Sequence, residues 1–398
     1  MNEHITITRR VRLPDTLRIA RYSKAPEVGP RMLFFSGGTA LRGLSRELIK
    51  YTHNSVHIIT PFDSGGSSAK LREAFGMLAV GDMRNRLMAL ADRSVKGNPP
   101  IFDLFAYRFP KSVAQQELRE RLRVLITGSD PLIENVPEPM QGLIRNHLGF
   151  FMSQMPPQFD LRGASIGNLI LVGGYLNAQR HIDSVLYMFS KLVEVRGMVR
   201  PVSTRDYHLA AELEDGSTVV GQHLLTGKQH APIASPVKRL YLVDSLANPQ
   251  PVGFEVKDKI KDIIRDMDVI CYPYGSFYTS LVANLLPKGV GQTLSETECP
   301  KVYIPNSGTD PEMLGMSLFR SVRVLLSHLQ AGCDFEVGRD ALLNFVLIDS
   351  KKGVYPRPLE LDKIRRFGVD VIDVPLVTKE SAPYLDPRLV IEHLLSLV

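Results

Sequence analysis

The chain is predicted to fold as one large doubly wound α/β domain on a mostly parallel sheet. Two apolar runs, Met32 to Phe35 and Val56 to Thr60, each empty into a glycine-rich loop that opens a helical pattern. The alternation resumes later through the strand candidates Arg239 to Val243, Val269 to Tyr272, Lys301 to Pro305 and Asn344 to Ile348, with a late one at Val369 to Val374. Strands separated by helices need crossover connections, which makes the sheet parallel. With 44% hydrophobic and 23% charged residues over 398 positions, a large buried core is expected.

Residues 1–30 form an extension ahead of this domain. Ile5 to Val11 is a candidate edge strand, and Pro14, Pro26 and Pro30 punctuate the remainder of the extension. The domain itself spans 31–398. Residues 100–160 read as a helical insertion, most clearly at SVAQQELRERLRVLITG, with breaks at Asn135 to Pro139 and Pro156-Pro157. Gly167 to Met188 reads as one long, largely apolar helix. Residues 207–225 hold two alternating runs around Asp215-Gly216, the pattern of a β-hairpin inserted at a sheet edge.

The net charge of +6 comes from Lys and Arg interspersed with Asp and Glu, without like-charge blocks. That excludes a nucleic-acid surface and suits a phosphate-bearing small ligand. Cys271, Cys299 and Cys333 are widely spaced and form neither a disulfide framework nor a zinc pattern. No secretory leader and no membrane-length apolar run is found, so a cytoplasmic protein without a membrane partner is expected.

The chemistry concentrates in loops at strand ends. In Ser36-Gly37-Gly38-Thr39 the glycines allow close backbone approach to a ligand, and Ser36 or Thr39 either caps the next helix or bonds a phosphate oxygen. The loop carries no Lys-Ser/Thr pair and no GxGxxG spacing, so it is neither a P-loop nor a standard dinucleotide fingerprint. In Asp63-Ser64-Gly65-Gly66-Ser67-Ser68 a carboxylate sits beside small donors. Asp63 is suited to hold Mg²⁺ while Gly65, Gly66, Ser67 and Ser68 offer donors to phosphate; alternatively, Asp63 or Ser64 only caps a helix. Both loops would leave the same carboxyl edge of a parallel sheet, so their N–H groups can converge on one anion.

Further helix starts repeat the theme. Asp82 is either an N-cap or works with Arg84 and Asn85 toward a phosphate or base. Asn168 is either a cap or a group that fixes a ligand carbonyl or ribose. Small-residue loops also follow Val269 to Tyr272, at Tyr274-Gly275-Ser276, and Val302 to Pro305, at Asn306-Ser307-Gly308-Thr309. His53 and His57 flank a turn and do not form a metal face, and neither HExxH nor GxSxG is present.

These residues resemble a known family. SGGTALRGL, TPFDSGGSSAKLR and AVGDMRNRLMALAD are similar to motifs of the CofD/YvcK family, and SIGNLILVGGYL, DVICYPYGSFYTSLVANLLPKGV and KVYIPNSGTDPEMLGMS continue the likeness from Arg31 to His328. The family contains 2-phospho-L-lactate transferases and gluconeogenesis factors, and the GGSS element is closer to the latter branch. The resemblance implies a Rossmann-like three-layer α/β/α sandwich and a homodimer. It places Gly37, Gly38 and Thr39 in the first phosphate loop, and Asp63 at a plausible metal position. Asp82, Arg84 and Asn85 match a GD-x-RN helix start, Asn168 the GN pair, and Gly275, Ser276 and Asn306 the later nucleotide-side loops. Ala40 departs from the pattern's Gly, Ser64 from its second Asp, and Tyr272-Pro273-Tyr274 from a small-residue turn.

The expected function is Mg²⁺-assisted transfer from a GDP- or UDP-type nucleotide-linked donor to an acceptor hydroxyl. Asp63 would hold the metal, and Asp82 or Asn85 would orient the acceptor. The alternative is a regulatory protein that senses a nucleotide or nucleotide sugar.

Overall fold

The first predicted strand, β1 (Met32–Ser36), is buried along its whole length. Alternate side chains feed two different cores. Leu33 and Phe35 join one apolar cluster, while Met32 and Phe34 join another on the opposite face. A strand buried on both faces is what a parallel sheet covered by helices requires. The computed structural model describes residues 10–93, 98–228 and 230–398.

The remaining strands, in chain order, are β2 (Ser55–Ile59), β3 (Met198–Pro201), β4 (His208–Leu213), β5 (Thr218–Val220), β6 (Val237–Val243), β7 (Pro251–Val252), β8 (Val269–Tyr272), β9 (Lys301–Tyr303), β10 (Phe345–Ile348) and β11 (Asp370–Asp373). Seven of them form one sheet in the order β11-β10-β9-β8-β1-β2-β3, and every pairing is parallel. From β1 the chain steps outward to β2 and β3; from β8 it steps the other way to β9, β10 and β11. The order therefore reverses between β1 and β8. In open α/β sheets such a switch point leaves a crevice at the carboxyl ends of the strands.

Three features differ from the sequence expectation, and a fourth expectation lies mostly outside the described residues. The Asp215-Gly216 hairpin is present, with Ala210 opposite Val220, but β6 and β7 extend it into a four-stranded antiparallel sheet, β5-β4-β6-β7. The run Arg239 to Val243 thus belongs to this second sheet and not to the parallel one; local apolar content cannot say which partner a strand takes. The edge strand β3 is not evident in the sequence because it is short and contains Arg200 and Pro201. The long helix expected over Gly167 to Met188 is two, Ile166–Asn177 and Ile182–Leu192, broken where Gln179 and Arg180 adopt positive φ. The candidate strand Ile5 to Val11 lies outside the described residues except for Arg10 and Val11, which are not in a strand.

The helical insertion is observed as Pro99–Ala106, Gln115–Thr127, Pro131–Glu134 and Met140–Gln154. With Ile166–Asn177 and Ile182–Leu192 it encloses a separate apolar cluster that includes Leu122, Leu148 and Phe189. Helices Leu318–Ala331 and Pro387–Leu395 cover opposite faces of the sheet. No helix among the described residues is long and apolar enough to cross a membrane.

Candidate functional site

The loops after β1, β2 and β8 meet over the switch point and enclose a cavity of about 400 Å³. Of the residues expected to bind or act, Gly37, Gly38, Thr39, Asp63, Gly65, Gly66, Ser67, Asp82, Gly275 and Ser276 all line it. Gly66 adopts a φ of 47°, which a side chain would strain. Gly38 is needed for proximity: a Cβ there would stand 2.8 Å from Asp82 Oδ1.

Two buried arginines hold the loops open. Arg86, on helix Gly81–Leu90, is 1% exposed and donates to the carbonyl oxygens of Gly37 and Gly38 at 3.1 and 3.3 Å, and to Ser45 Oγ. Arg72, on helix Gly66–Phe75, donates at 3.1 Å to the carbonyl oxygens of Phe62 and Asp63 and is anchored by Asp206. With these carbonyls bonded to arginine, the loop N–H groups not otherwise used could serve an anion, although that of Gly65 is already given to Asp63. Burial lowers the pKa of Arg86 to about 10, against the raising charge of Asp82.

Asp63 and Asp82 are the two carboxylates of the cavity. Asp63 accepts the Gly65 N–H at 3.0 Å. Helix Gly66–Phe75 begins at Gly65 without a side-chain cap, so neither Asp63 nor Ser64 is its cap; likewise Val80, not Asp82, stands at the N-cap of Gly81–Leu90. Burial, and then the neighbouring Asp63 charge, pushes Asp82 up to about 7, while Arg86, Lys228 and Arg84 pull the other way.

The third wall comes from the loop after β8. Glu312 is 1% exposed; its carboxylate accepts the N–H groups of Tyr278 and Thr279 at 2.8 Å and the Thr279 hydroxyl at 2.5 Å. Asp310 accepts the Phe277 N–H at 2.8 Å. Asn284 ties the Ser36 and Ser280 carbonyl oxygens together at 3.1 and 2.8 Å, which seats Ser280 against Gly37. Burial, then the Asp310 charge, raises Glu312 to about 8.

The antiparallel sheet supplies the roof. Helix Gln222–Leu225 brings Gln222, His223, Thr226 and Lys228 to the cavity. His223 Nδ1 stands 2.8 Å from Ser64 Oγ, which also accepts the His223 N–H at 3.3 Å. Burial lowers the His223 pKa, as does His230, while Asp63 raises it.

A family model described as 2-phospho-L-lactate transferase CofD matches residues 32–377. The chain belongs to the CofD family. The gluconeogenesis factor of Bacillus subtilis strain 168 is 28% identical over 365 residues, spanning 88% of this chain and 92% of that protein. The gluconeogenesis factor of Halalkalibacterium halodurans is 28% identical over 360 residues, spanning 88% and 90%. A crystal structure of a UPF0052-family protein from Bacillus halodurans shares the fold, with a TM-score of 0.66 and 24% identity over 93% of this chain and 99% of that one.

In this member of the CofD family the remaining motif residues stand behind or beside the cavity. Ser68 and Asn168 are buried, and both approach Gly81: Ser68 Oγ and Asn168 Nδ2 stand 3.0 and 4.0 Å from the position of a Cβ there, with Asp63 Oδ2 also at 4.0 Å. Asn168 Oδ1 is buried without a hydrogen-bond partner. Arg84 donates to Ser165 and Asn85, and neither Arg84 nor Asn85 lines the cavity. The arginine of the RNR run that touches the first loop is Arg86. Asn306 leaves β9 at the same sheet edge but is not in the cavity wall. His57 is fully buried and stacks on Phe34, a core role.

Several site residues are not evident from the sequence. Arg72 and Arg86 do leave a signal, since each is an arginine on the buried side of a helix. Lys228, His223 and Glu312 leave none, because they reach the site from distant segments.

Proposed function

We propose that the cavity binds the diphosphate of a GDP- or UDP-type nucleotide-linked donor and that the protein transfers its phosphorus-bearing group to an acceptor hydroxyl. The observation that supports this best is the convergence of two glycine-rich loops and the carboxylates of Asp63 and Asp82 on one cavity at the switch point. Membership of the CofD family supports the nucleotide-type ligand.

A Mg²⁺ ion would be held by Asp63 together with oxygens of the ligand's diphosphate. Asp63 offers a carboxylate at the strand end, and Mg²⁺ commonly takes one or two carboxylates plus phosphate oxygens. When bound, the ion neutralises charge that develops on the leaving group. The loops Gly37–Thr39 and Gly65–Ser67 orient the diphosphate, and Lys228 meets its negative charge. Asp82, with its pKa near neutrality, accepts the proton of the attacking hydroxyl. The hydroxyl oxygen bonds to the distal phosphorus, and the bridging P–O bond breaks to release the nucleoside monophosphate.

A single-turnover assay with GDP- and UDP-linked donors and a panel of alcohol acceptors tests this. Release of nucleoside monophosphate that depends on acceptor and is lost in Asp82→Asn is expected. Tight nucleotide binding without donor consumption would overturn the transfer and leave a nucleotide-sensing regulator.

A further inference from the structure

A second cavity, also about 400 Å³, shares no lining residue with the first. It lies between the carboxyl end of edge strand β3, the start of β4, and residues 253–260 ahead of and within helix Asp258–Arg265. Arg200 projects into it from β3. The residue is 8% exposed, its Nε alone is buried without a hydrogen-bond partner, and no ion pair holds it among the described residues. A mostly buried arginine whose Nε lacks a partner, on the wall of a cavity, is placed to pair with an anion that enters it.

The surroundings agree. Arg205, Lys257 and Lys259 are exposed around the cavity, against the carboxylates of Asp183 and Glu255. Glu255 is already engaged by Lys261 at 2.5 Å. The cavity therefore keeps an excess of positive charge. One wall is aromatic: Tyr207 and Phe254 stack with ring centroids 5.4 Å apart, and both face the cavity. A flat group laid against that wall would gain apolar contact while its anionic end reached Arg200.

We propose that this second cavity binds a small molecule whose oxyanion group, a phosphate or a carboxylate, pairs with Arg200 and whose flat portion packs on Tyr207 and Phe254. The site is independent of the nucleotide cavity, so the two readings stand or fall separately.

Crystals soaked in tungstate, a phosphate analogue, or in 4-bromobenzoate, a flat carboxylate, locate the site through anomalous scattering. An anomalous peak between Arg200 and Phe254 is expected with at least one probe, and the probe that gives it identifies the oxyanion type. Thermal shifts with the same probe at fixed ionic strength should show affinity at least tenfold weaker in Arg200→Met, with nucleotide binding retained. If Arg200→Met does not fold, the exposed pair Lys257→Glu and Lys259→Glu replaces it and should weaken the probe by a similar factor. No peak with either probe, or an affinity unchanged in the variant that folds, overturns the proposal.

Discussion

The Arg86 guanidinium donates to the carbonyl oxygen of Gly37 at 3.1 Å from beneath the first loop. A fully enclosed cation thus holds the Gly37 and Gly38 carbonyls on the side away from solvent. Arg72 does the same for the carbonyls of Phe62 and Asp63 under the second loop. The same chemistry thus recurs under both loops from two different helices.

Arg86→Met should therefore cost about 2–4 kcal/mol of stability, because it strands the Gly37 and Gly38 carbonyls and leaves Asp82 without its nearby cation. Nucleotide affinity should also fall by about tenfold or more, the equivalent of one or two lost charge-assisted contacts. Urea unfolding and calorimetric titration read the two effects. A stable variant with unchanged nucleotide affinity would show that Arg86 does not organise the loop.

Gly38→Ala separates function from folding. Gly38 has no positive φ, so alanine adds no backbone strain, and stability should change by no more than about 1 kcal/mol. Its Cβ, however, would stand 2.8 Å from Asp82 Oδ1 and must displace that carboxylate. Turnover should drop by about a hundredfold if the Asp82 position governs proton transfer. A melting temperature near wild type with full activity would refute that link.

If Asp82 is the base of the proposed transfer, it sets the pH profile. Burial and the Asp63 charge raise it to about 7, and a base acts only when deprotonated. Activity should therefore rise as pH increases through about 7 and level off above it. In Asp82→Asn the rate should be low and lack this limb. A wild-type profile flat from pH 6 to 8 would remove Asp82 from the role.

Glu312 predicts a stability change with the opposite slope. Its folded pKa of about 8 lies above the unfolded value, so the native state holds a proton that the unfolded chain releases. Its contribution is fully present below pH 4.5 and is lost as pH rises through about 8. The slope approaches ~1.4 kcal/mol per pH unit in between. Glu312→Gln, which keeps an oxygen for the Tyr278 and Thr279 N–H groups, should flatten that slope. Denaturation midpoints at several pH values compare the two proteins.

Much of this architecture was legible in the residues alone. Two apolar runs that end in Gly37-Gly38 and Gly65-Gly66 specify strands, tight turns and helix starts from local chemistry. Parallel connection then places both turns at one sheet edge. The family likeness carried Asp63, Asp82 and the loop of Gly275 and Ser276 to the same place. What local pattern cannot encode is which segments meet across long separations. Only the folded chain sends β6 to a second sheet, brings His223 of helix Gln222–Leu225 to Ser64 at 2.8 Å, and spends Glu312 on the backbone of Tyr278 and Thr279. Likewise, the choice of Arg86 over Arg84 as the support for Gly37 depends on which side of helix Gly81–Leu90 faces β1, a matter of packing. Periodicity specifies elements because it acts within a few residues; the partners of buried charges are decided by tertiary contacts, where desolvation makes an unpaired charge costly.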